Sequence, residues 1–344
     1  MQFAAVKIVK NIPQYKAMAK REVMLHEIID RAPNCIGKER ILKPISAFEV
    51  NDHVCIVMPL LSRSLFEGVC QTQAPLCLLE DVKNIMIQLL QALDFIHSID
   101  IIHCDIKPDN ILYVDESRNE INLIDFGSAC FNSQMEQGKY IQSRFYRSFE
   151  VIMGLPYDNK IDIWSAGCVA AEMFLDFAIF ACDCESDSIH TMVALLGNVP
   201  DYLISSSQNW WKFYDITPQG FKLKMDINDV LLKRHLYNTI FEQVGVVNLE
   251  KLIMEHCIIS TEEEYYMLLC FSDFVQGLLQ FDPKKRFSAS EALNHPFITG
   301  EKFVYHSPKS CNNNEDIIQH LQTSHIYEPQ TLDQISNYDF LSLI

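Results

Sequence analysis

Glycine is scarce in this 344-residue chain: there are 11, and none precedes Gly37. A G-x-G-x-x-G loop, which cradles phosphates with bare backbone N–H groups, is therefore excluded from everything upstream of Gly37. Positive charge is also short. Lys plus Arg number 28 against 45 Asp plus Glu, a formal net charge of −17. Such a surface repels phosphate backbones and anionic lipid, which argues against bulk nucleic-acid binding but leaves room for a local basic pocket. Lys284-Lys285-Arg286 is the only compact basic triplet; it sits beside an apolar helical stretch and reads as structural rather than as a nuclear address. No uninterrupted apolar run reaches membrane-spanning length, and the first residues do not read as a signal peptide. The 12 cysteines are scattered. The nearest to a metal pattern, Cys182-Asp183-Cys184, has no second pair. They read as small buried hydrophobes of a reducing compartment, the cytoplasm or the nucleus. No internal repeat is present.

What is there suffices for a packed core. The apolar fraction is 49%, and the length allows one large or two modest domains. Residues 1–9 read as the end of a strand, with Phe3, Ala4, Ala5, Val6, Ile8 and Val9 around Lys7. Residues 16–30 read as a helix with Val23 and Ile29 at helical spacing, and Pro33 follows as a stop signal. Val54 to Val57 is a short apolar strand running into Met58-Pro59-Leu60-Leu61. Residues 1–61 thus form a small sheet-bearing unit. From Leu79 to Ser98 the stripe Val82, Ile85, Met86, Leu89, Leu90, Leu93 and Ile96 predicts a long helix. Further helices are predicted from Asp162 and over Phe271 to Phe281. Residues 62–300 are therefore mainly helical, interrupted by an irregular insertion over 201–264. After Phe297 the composition turns polar, with Asn312-Asn313-Asn314, so 301–344 reads as a loosely held tail.

Two short segments carry chemistry. They are His103-Cys104-Asp105-Ile106-Lys107-Pro108-Asp109-Asn110 and, fifteen residues after Asn110, Asp125-Phe126-Gly127. In kind, order and spacing they resemble the catalytic loop and magnesium-binding motif of protein kinases. Asp105 is the candidate to orient an acceptor hydroxyl and take its proton. Asn110 and Asp125 suit magnesium, which prefers oxygen ligands and needs few from the protein. Lys107 places positive charge where a transferring phosphoryl group gathers negative charge. Ala5-Val6-Lys7 is similar to the strand that carries the ATP-phosphate lysine. Glu22 follows fifteen residues later on the predicted helix, as the carboxylate partner of Lys7, with Glu27 as an alternative. Met58 to Leu61 fits the hinge that receives adenine. Met58 would guard the back of the pocket. The Pro59 carbonyl and both Leu60 backbone groups would meet the adenine edge, and the missing donor of proline is not needed there.

Residues 4–300 resemble a eukaryotic protein kinase nearly throughout, and most closely the DYRK group of the CMGC kinases and its Yak-type branch. The carrying residues are the Cys of His103-Cys104-Asp105, the run Ile124 to Cys130, and Tyr140-Ile141-Gln142-Ser143-Arg144-Phe145-Tyr146-Arg147-Ser148. The ending His295-Pro296-Phe297-Ile298-Thr299 is similar to the Yak-type lobe end, while Ala5 to Asn11 is equally like the related CLK kinases. The resemblance implies an α+β, two-lobed fold with a truncated, small β-rich first lobe and a large, mainly helical second lobe. It implies ATP and Mg2+ as cofactors, protein substrates phosphorylated on Ser and Thr, and a monomer without nucleic-acid or membrane partners. It also implies autophosphorylation of Tyr140 during maturation. Arg144 and Arg147 would then hold the phosphotyrosine by bidentate hydrogen bonds. Cys104 stands where many kinases have an Arg that grips an activation-loop phosphate, so this loop is ordered another way. Asp162 and Trp164 resemble the helix that anchors the catalytic loop, and Glu150 with Arg286 resembles a buried ion pair.

The sequence also departs from the pattern. With Lys7 so near the start, the Gly-rich loop and its strands are missing, which reads as an absent upstream segment or a shortened lobe with an exposed strand edge and weak ATP binding. Ala-Pro-Glu is replaced by Ser148-Phe149-Glu150, Gly138 stands where related kinases often have a first tyrosine, and His26 takes a usually apolar position behind the site. Two competing functions follow: a pseudokinase scaffold, favoured by the missing loop, and a small-molecule kinase, disfavoured by the peptide-docking look of Arg144 to Glu150.

Overall fold

The computed structural model describes residues 3–70, 79–117, 120–134, 140–224, 248–257 and 259–304. Strand β1 (Ala4–Ile8) is followed by helix α1 (Pro13–Arg31), a short helix α2 (Ile36–Glu39), and strands β2 (Ser46–Val50) and β3 (His53–Pro59). The strands form an antiparallel sheet of order β1-β3-β2, with Lys7 opposite Ile56 and Val6 opposite Val57. Directly paired residues share a face, so Lys7 lies on the same side as Ile56. That side is the one α1 covers, because buried Val54 and Ile56 pack with Ala19. Pro13 opens α1 at a position where its missing N–H has no intrahelical partner to lose. The buried residues of α1 are Ala19, Glu22, Leu25 and Ile29, one stripe at helical spacing. Glu22 is thus a carboxylate in an otherwise apolar row, and burial obliges it to find a cation.

The larger part of the chain adds helices α3 (Leu65–Cys70) and α4 (Leu79–Ser98) and strands β4 (Ile101–Ile102), β5 (Ile111–Tyr113), β6 (Ile121–Leu123) and β7 (Cys130–Phe131). Antiparallel β4 pairs with β7, and β5 with β6. Residues 103–110 therefore leave β4 and enter β5 while 124–129 leave β6 and enter β7. These two small ladders bring both motif loops side by side. Helices α5 (Phe149–Met153), α6 (Lys160–Leu175) and α7 (Glu185–Leu196) follow. Residues 161–175 of α6 are all buried, as expected of a helix that runs through a core rather than along its surface. The stripe Val82, Ile85, Met86, Leu89, Leu90, Leu93 and Ile96 of α4 is buried against the same core.

Residues 201–264 were expected to be irregular, and their described part is not. It holds helices α8 (Asp201–Ser206) and α9 (Trp210–Phe213), a hairpin of β8 (Tyr214–Thr217) and β9 (Gly220–Leu223), and helix α10 (Leu249–Glu255). Leu203, Ile204, Phe213, Tyr214, Leu252 and Ile253 all enter the main core. Helix α11 (Glu262–Leu278) begins well before the expected Phe271, because Thr261 and Glu264 form a reciprocal capping box at its start. Helices α12 (Ala289–Leu293) and α13 (Pro296–Thr299) complete the described chain. Gly138 and residues 305–344 of the expected tail lie outside the described residues. Among the described residues no helix is long and apolar enough to cross a membrane.

Candidate active site

Lys7 meets the obligation of Glu22. Its Nζ donates to Glu22 Oε1 and Oε2 at 3.0 and 2.9 Å, and to Asp125 Oδ1 at 2.7 Å. Glu27, the alternative partner, instead accepts from Arg31 one turn along the exposed side of α1. Burial acts to lower the Lys7 pKa, but Glu22 and Asp125 outweigh it and the net shift is upward, so the ammonium keeps its proton. Burial pushes Glu22 up against the pull of Lys7. For Asp125, burial is outweighed by Lys7 and the Gly127 N–H, and its pKa falls. Behind Asp125, the fully buried Phe126 ring lies edge-on between His26 and His103, with centroids at 5.1 and 4.9 Å. Burial and then Lys7 push His26 down to about 4, which leaves a neutral imidazole packed on an aromatic ring.

The second loop is built around a buried carboxylate on α6. Asp162 is fully buried and accepts from His103 N at 2.8 Å, Cys104 N at 2.9 Å and His97 Nε2 at 2.9 Å. These bonds hold Cys104 in a left-handed conformation (φ 65°), which turns the chain so that Asp105 faces out of the core. His103 Nε2 donates to Ile124 O while Nδ1 accepts from Asp105 N, so one tautomer ties both loops together. Ile124 N also donates to Asn110 O at 3.0 Å. Asn110 Nδ2 donates to Asp105 O at 2.8 Å and to Asp105 Oδ2 at 3.1 Å. Lys107 Nζ stands 3.2 Å from Asp105 Oδ2.

Two further segments border this loop. Ser143 donates to Asp105 Oδ1 from its Oγ at 2.7 Å and from its N–H at 3.2 Å, and its Oγ accepts from Lys107 Nζ at 3.1 Å. Gln142 is left-handed (φ 63°), and its side chain bonds Ile161 O, Ser165 Oγ and Ser148 N. Tyr140 is 72% exposed, and its ring lies 3.7 Å above the buried Arg147 guanidinium. Hydrogen bonding to Arg147, outweighing the small effect of burial, and then Arg144 lower the Tyr140 pKa. Arg144 itself is exposed and donates to Asp183 O at 2.6 Å. Farther on, Glu150 and Arg286 are both fully buried and joined twice, at 2.5 and 2.9 Å. At the sheet, Met58 packs toward α1 with Val54 and Ile56. Pro59 ends the central strand β3, and Leu60 just beyond that strand end is 59% exposed.

Residues 1–298 match the model of the protein kinase domain. The chain belongs to the protein kinase family. Among known proteins this kinase is similar to serine/threonine-protein kinase ppk15 of Schizosaccharomyces pombe, at 34% identity over 88% of this chain and 58% of that protein. It is similar to the dual specificity protein kinase YAK1 homolog of Arabidopsis thaliana, at 32% identity over 88% of this chain and 34% of that protein. It is also similar to dual specificity protein kinase YAK1 of Saccharomyces cerevisiae, at 30% identity over 88% of this chain and 39% of that protein. The kinase therefore spans between 34% and 58% of the length of these relatives. Two of the three carry the YAK1 name, that of the branch which the Cys104 and Tyr140 segments resemble.

The family implies ATP and magnesium, and the donor set of this kinase fits them. Asn110 directs its amide N–H groups at Asp105, so among the described residues its Oδ1 carries no hydrogen bond. Asp125 takes both its bonds on Oδ1, leaving Oδ2 free in the same sense. Two hard oxygens beside a retained ammonium suit a magnesium–phosphate group. Sequence reasoning assigned no role to Ser143, Gln142, His97 or Glu185. Ser143 had no spacing signal, being one hydroxyl in a run read for its tyrosine and arginines.

Proposed function

We propose that this kinase transfers the γ-phosphoryl group of ATP to serine and threonine hydroxyls of protein substrates, and that it phosphorylates its own Tyr140 during maturation. One observation carries the reading. The Lys7–Glu22–Asp125 cluster and the Asp105–Lys107–Asn110 loop are joined through Ile124 and His103, which supports a single site that combines the cation, the oxygen ligands and the base. Asp105 orients the acceptor hydroxyl and receives its proton, with Ser143 fixing the rotamer of its carboxylate. Lys107 offers positive charge beside that base, and Lys7 does so toward the ATP phosphates. Met58, Pro59 and Leu60 receive adenine. Asn110 and Asp125 would hold magnesium, which would supply positive charge against the phosphates. Little covalent chemistry is asked of the protein, so alignment and charge supply most of the rate.

The left-handed Gln142 bears on the substrate. Its carbonyl accepts from Arg147 Nη2 at 2.9 Å and so points inward. A peptide residue passing this place finds no backbone acceptor for its N–H, and proline, which has none, loses nothing there. We therefore assign a preference for proline just after the acceptor residue. The work is assigned to the cytoplasm or nucleus, a reading supported by nine free cysteines among the described residues.

The test is expression with magnesium and ATP beside Asp125→Asn, with phosphate mapped by mass spectrometry. Phosphate on Tyr140 and on a Ser-Pro peptide in the unmodified chain, absent in the variant, supports the reading. A folded unmodified chain that transfers no phosphate overturns it and leaves a binding scaffold.

A further inference from the structure

Arg147 is 2% exposed, yet each of its three nitrogens is engaged. Nε donates to Ile141 O and Nη2 to Gln142 O, both at 2.9 Å, which ties down the backbone that presents Ser143 to Asp105. Nη1 donates to Glu185 Oε1 at 3.2 Å, the one carboxylate among the described residues that neutralises this guanidinium. Glu185 is the first residue of α7, and its side chain is 38% exposed. The other arginine of the segment, Arg144, binds Asp183 O, two residues upstream. Both arginines therefore make their outward contacts on the same stretch, Asp183 to Glu185.

We infer that Glu185 is the resident anion that Arg147 holds until Tyr140 carries phosphate, and that the start of α7 senses this exchange. The inference rests on the reading that Tyr140 becomes phosphorylated. The Tyr140 ring already lies on the Arg147 guanidinium, so a phosphoryl group on its oxygen arrives beside that cation. It brings nearly two negative charges and three acceptor oxygens against the single charge of a carboxylate. Two anions on one mostly buried guanidinium repel each other, and the phosphate with its higher charge is the stronger competitor, so the carboxylate is the one displaced. Glu185 can leave readily. It is partly exposed to water, and the N-terminus of α7 still favours its negative charge. The two backbone bonds of Arg147 stay in place, so the substrate-side loop keeps its shape while α7 loses its tether. Phosphate attraction for Arg144 pulls on Asp183 in the same direction.

The test uses the full chain with phosphotyrosine installed genetically at position 140, which makes it independent of self-phosphorylation. Hydrogen exchange of the amides of 185–190 and the thermal midpoint are measured with Tyr or phosphotyrosine, each in the Glu185 and Glu185→Gln backgrounds. With Glu185 present, phosphate should speed exchange in the first turn of α7 several-fold. In Glu185→Gln that turn should already exchange fast and not respond, and phosphate should raise the midpoint more than it does with Glu185. Exchange in α7 that ignores phosphate, with equal midpoint gains in both backgrounds, overturns the inference. Failure of the unmodified chain to label its own Tyr140 overturns the maturation reading alone.

Discussion

Replacing Asp162 by Asn keeps the size of the side chain and removes only its charge and one acceptor. Its two oxygens serve three donors: Oδ2 accepts from His103 N and His97 Nε2, and Oδ1 from Cys104 N. An amide has one oxygen, so whichever way it turns, its NH2 group faces a backbone N–H. That buried donor then has no acceptor, at about 1–3 kcal/mol. The surviving bonds fall from charge-assisted to neutral strength, at about 1 kcal/mol each. The loss of stability should be about 2–5 kcal/mol, the sum of these parts. The functional effect follows from Cys104, whose left-handed backbone is uphill by roughly 1–2 kcal/mol and is held there by this carboxylate. Once released, the loop relaxes to an ordinary φ and Asp105 swings away from the cleft. Phosphate transfer at saturating ATP should drop by about a hundredfold or more, while nucleotide affinity, which the proposed function assigns to Lys7 and the strand end, should change little. Urea unfolding, single-turnover transfer and ATP-analogue binding separate the three effects. A variant that unfolds at lower urea but transfers phosphate at the normal rate refutes the link between Asp162 and the placement of Asp105.

Three other outcomes are expected. Ser143→Ala removes a hydroxyl that touches both Asp105 and Lys107, so kcat should fall about tenfold with KM for ATP unchanged, and Ser143→Thr should restore it. An equal loss in the Thr variant would show that the hydroxyl is not the cause. Glu150→Ala leaves Arg286 buried and unpaired, at about 3–5 kcal/mol and roughly 10 °C in Tm, and calorimetry that finds no change would show the pair to be dispensable. Glu172, which accepts from Tyr146 Oη at 2.8 Å, has its pKa pushed up by burial to about 7. The folded chain therefore keeps a proton that the unfolded chain releases above 4.5, and stability should fall by about 3 kcal/mol as pH rises through this window. Urea unfolding at about pH 5 and about pH 8 should show this slope in the native chain and not in Glu172→Gln; an unchanged slope in the variant would assign it elsewhere.

What could be read from the sequence was contiguous or periodic. The stripe of α4 is a repeat of apolar residues at helical spacing, and such a stripe buries itself wherever a core exists. The two motif loops each carry their chemistry within a few residues. Lys7 and Glu22 are joined by the end of a strand, a turn and nearly three helical turns, local enough for spacing to constrain them. The short elements between 201 and 257 escaped because each places at most four apolar residues in the core, too few for a period to show. Their form is decided by the core they meet, not by their own pattern. The start of α11 was legible and was overlooked, since Thr261 and Glu264 have the capping-box spacing.

The part of the site that could not be read depends on backbone sign rather than residue type. Left-handed backbone is signalled in a sequence by Gly, or less often by Asn or Asp. Here Cys104 and Gln142 adopt it, and Asp125 does too, at one position in each of the three segments that meet at the cleft. Each is uphill by roughly 1–3 kcal/mol and persists only where its surroundings over-determine it. The compensation is visible in every case. Asp162 accepts from the Cys104 N–H, the Asp125 carboxylate accepts from Gly127 N, and Arg147 holds the Gln142 carbonyl while its amide side chain makes three more bonds. The compensating groups lie two to about sixty residues away in the chain, on α6 and on the segment itself. A glycine at position 104 or 142 would relieve the torsion, but it would widen the unfolded ensemble and, at 142, delete the side-chain bonds that aim the carbonyl inward. The choice of Cys and Gln is therefore consistent with selection for a fixed loop direction at the expense of local ease, which is the arrangement expected where alignment supplies most of the rate.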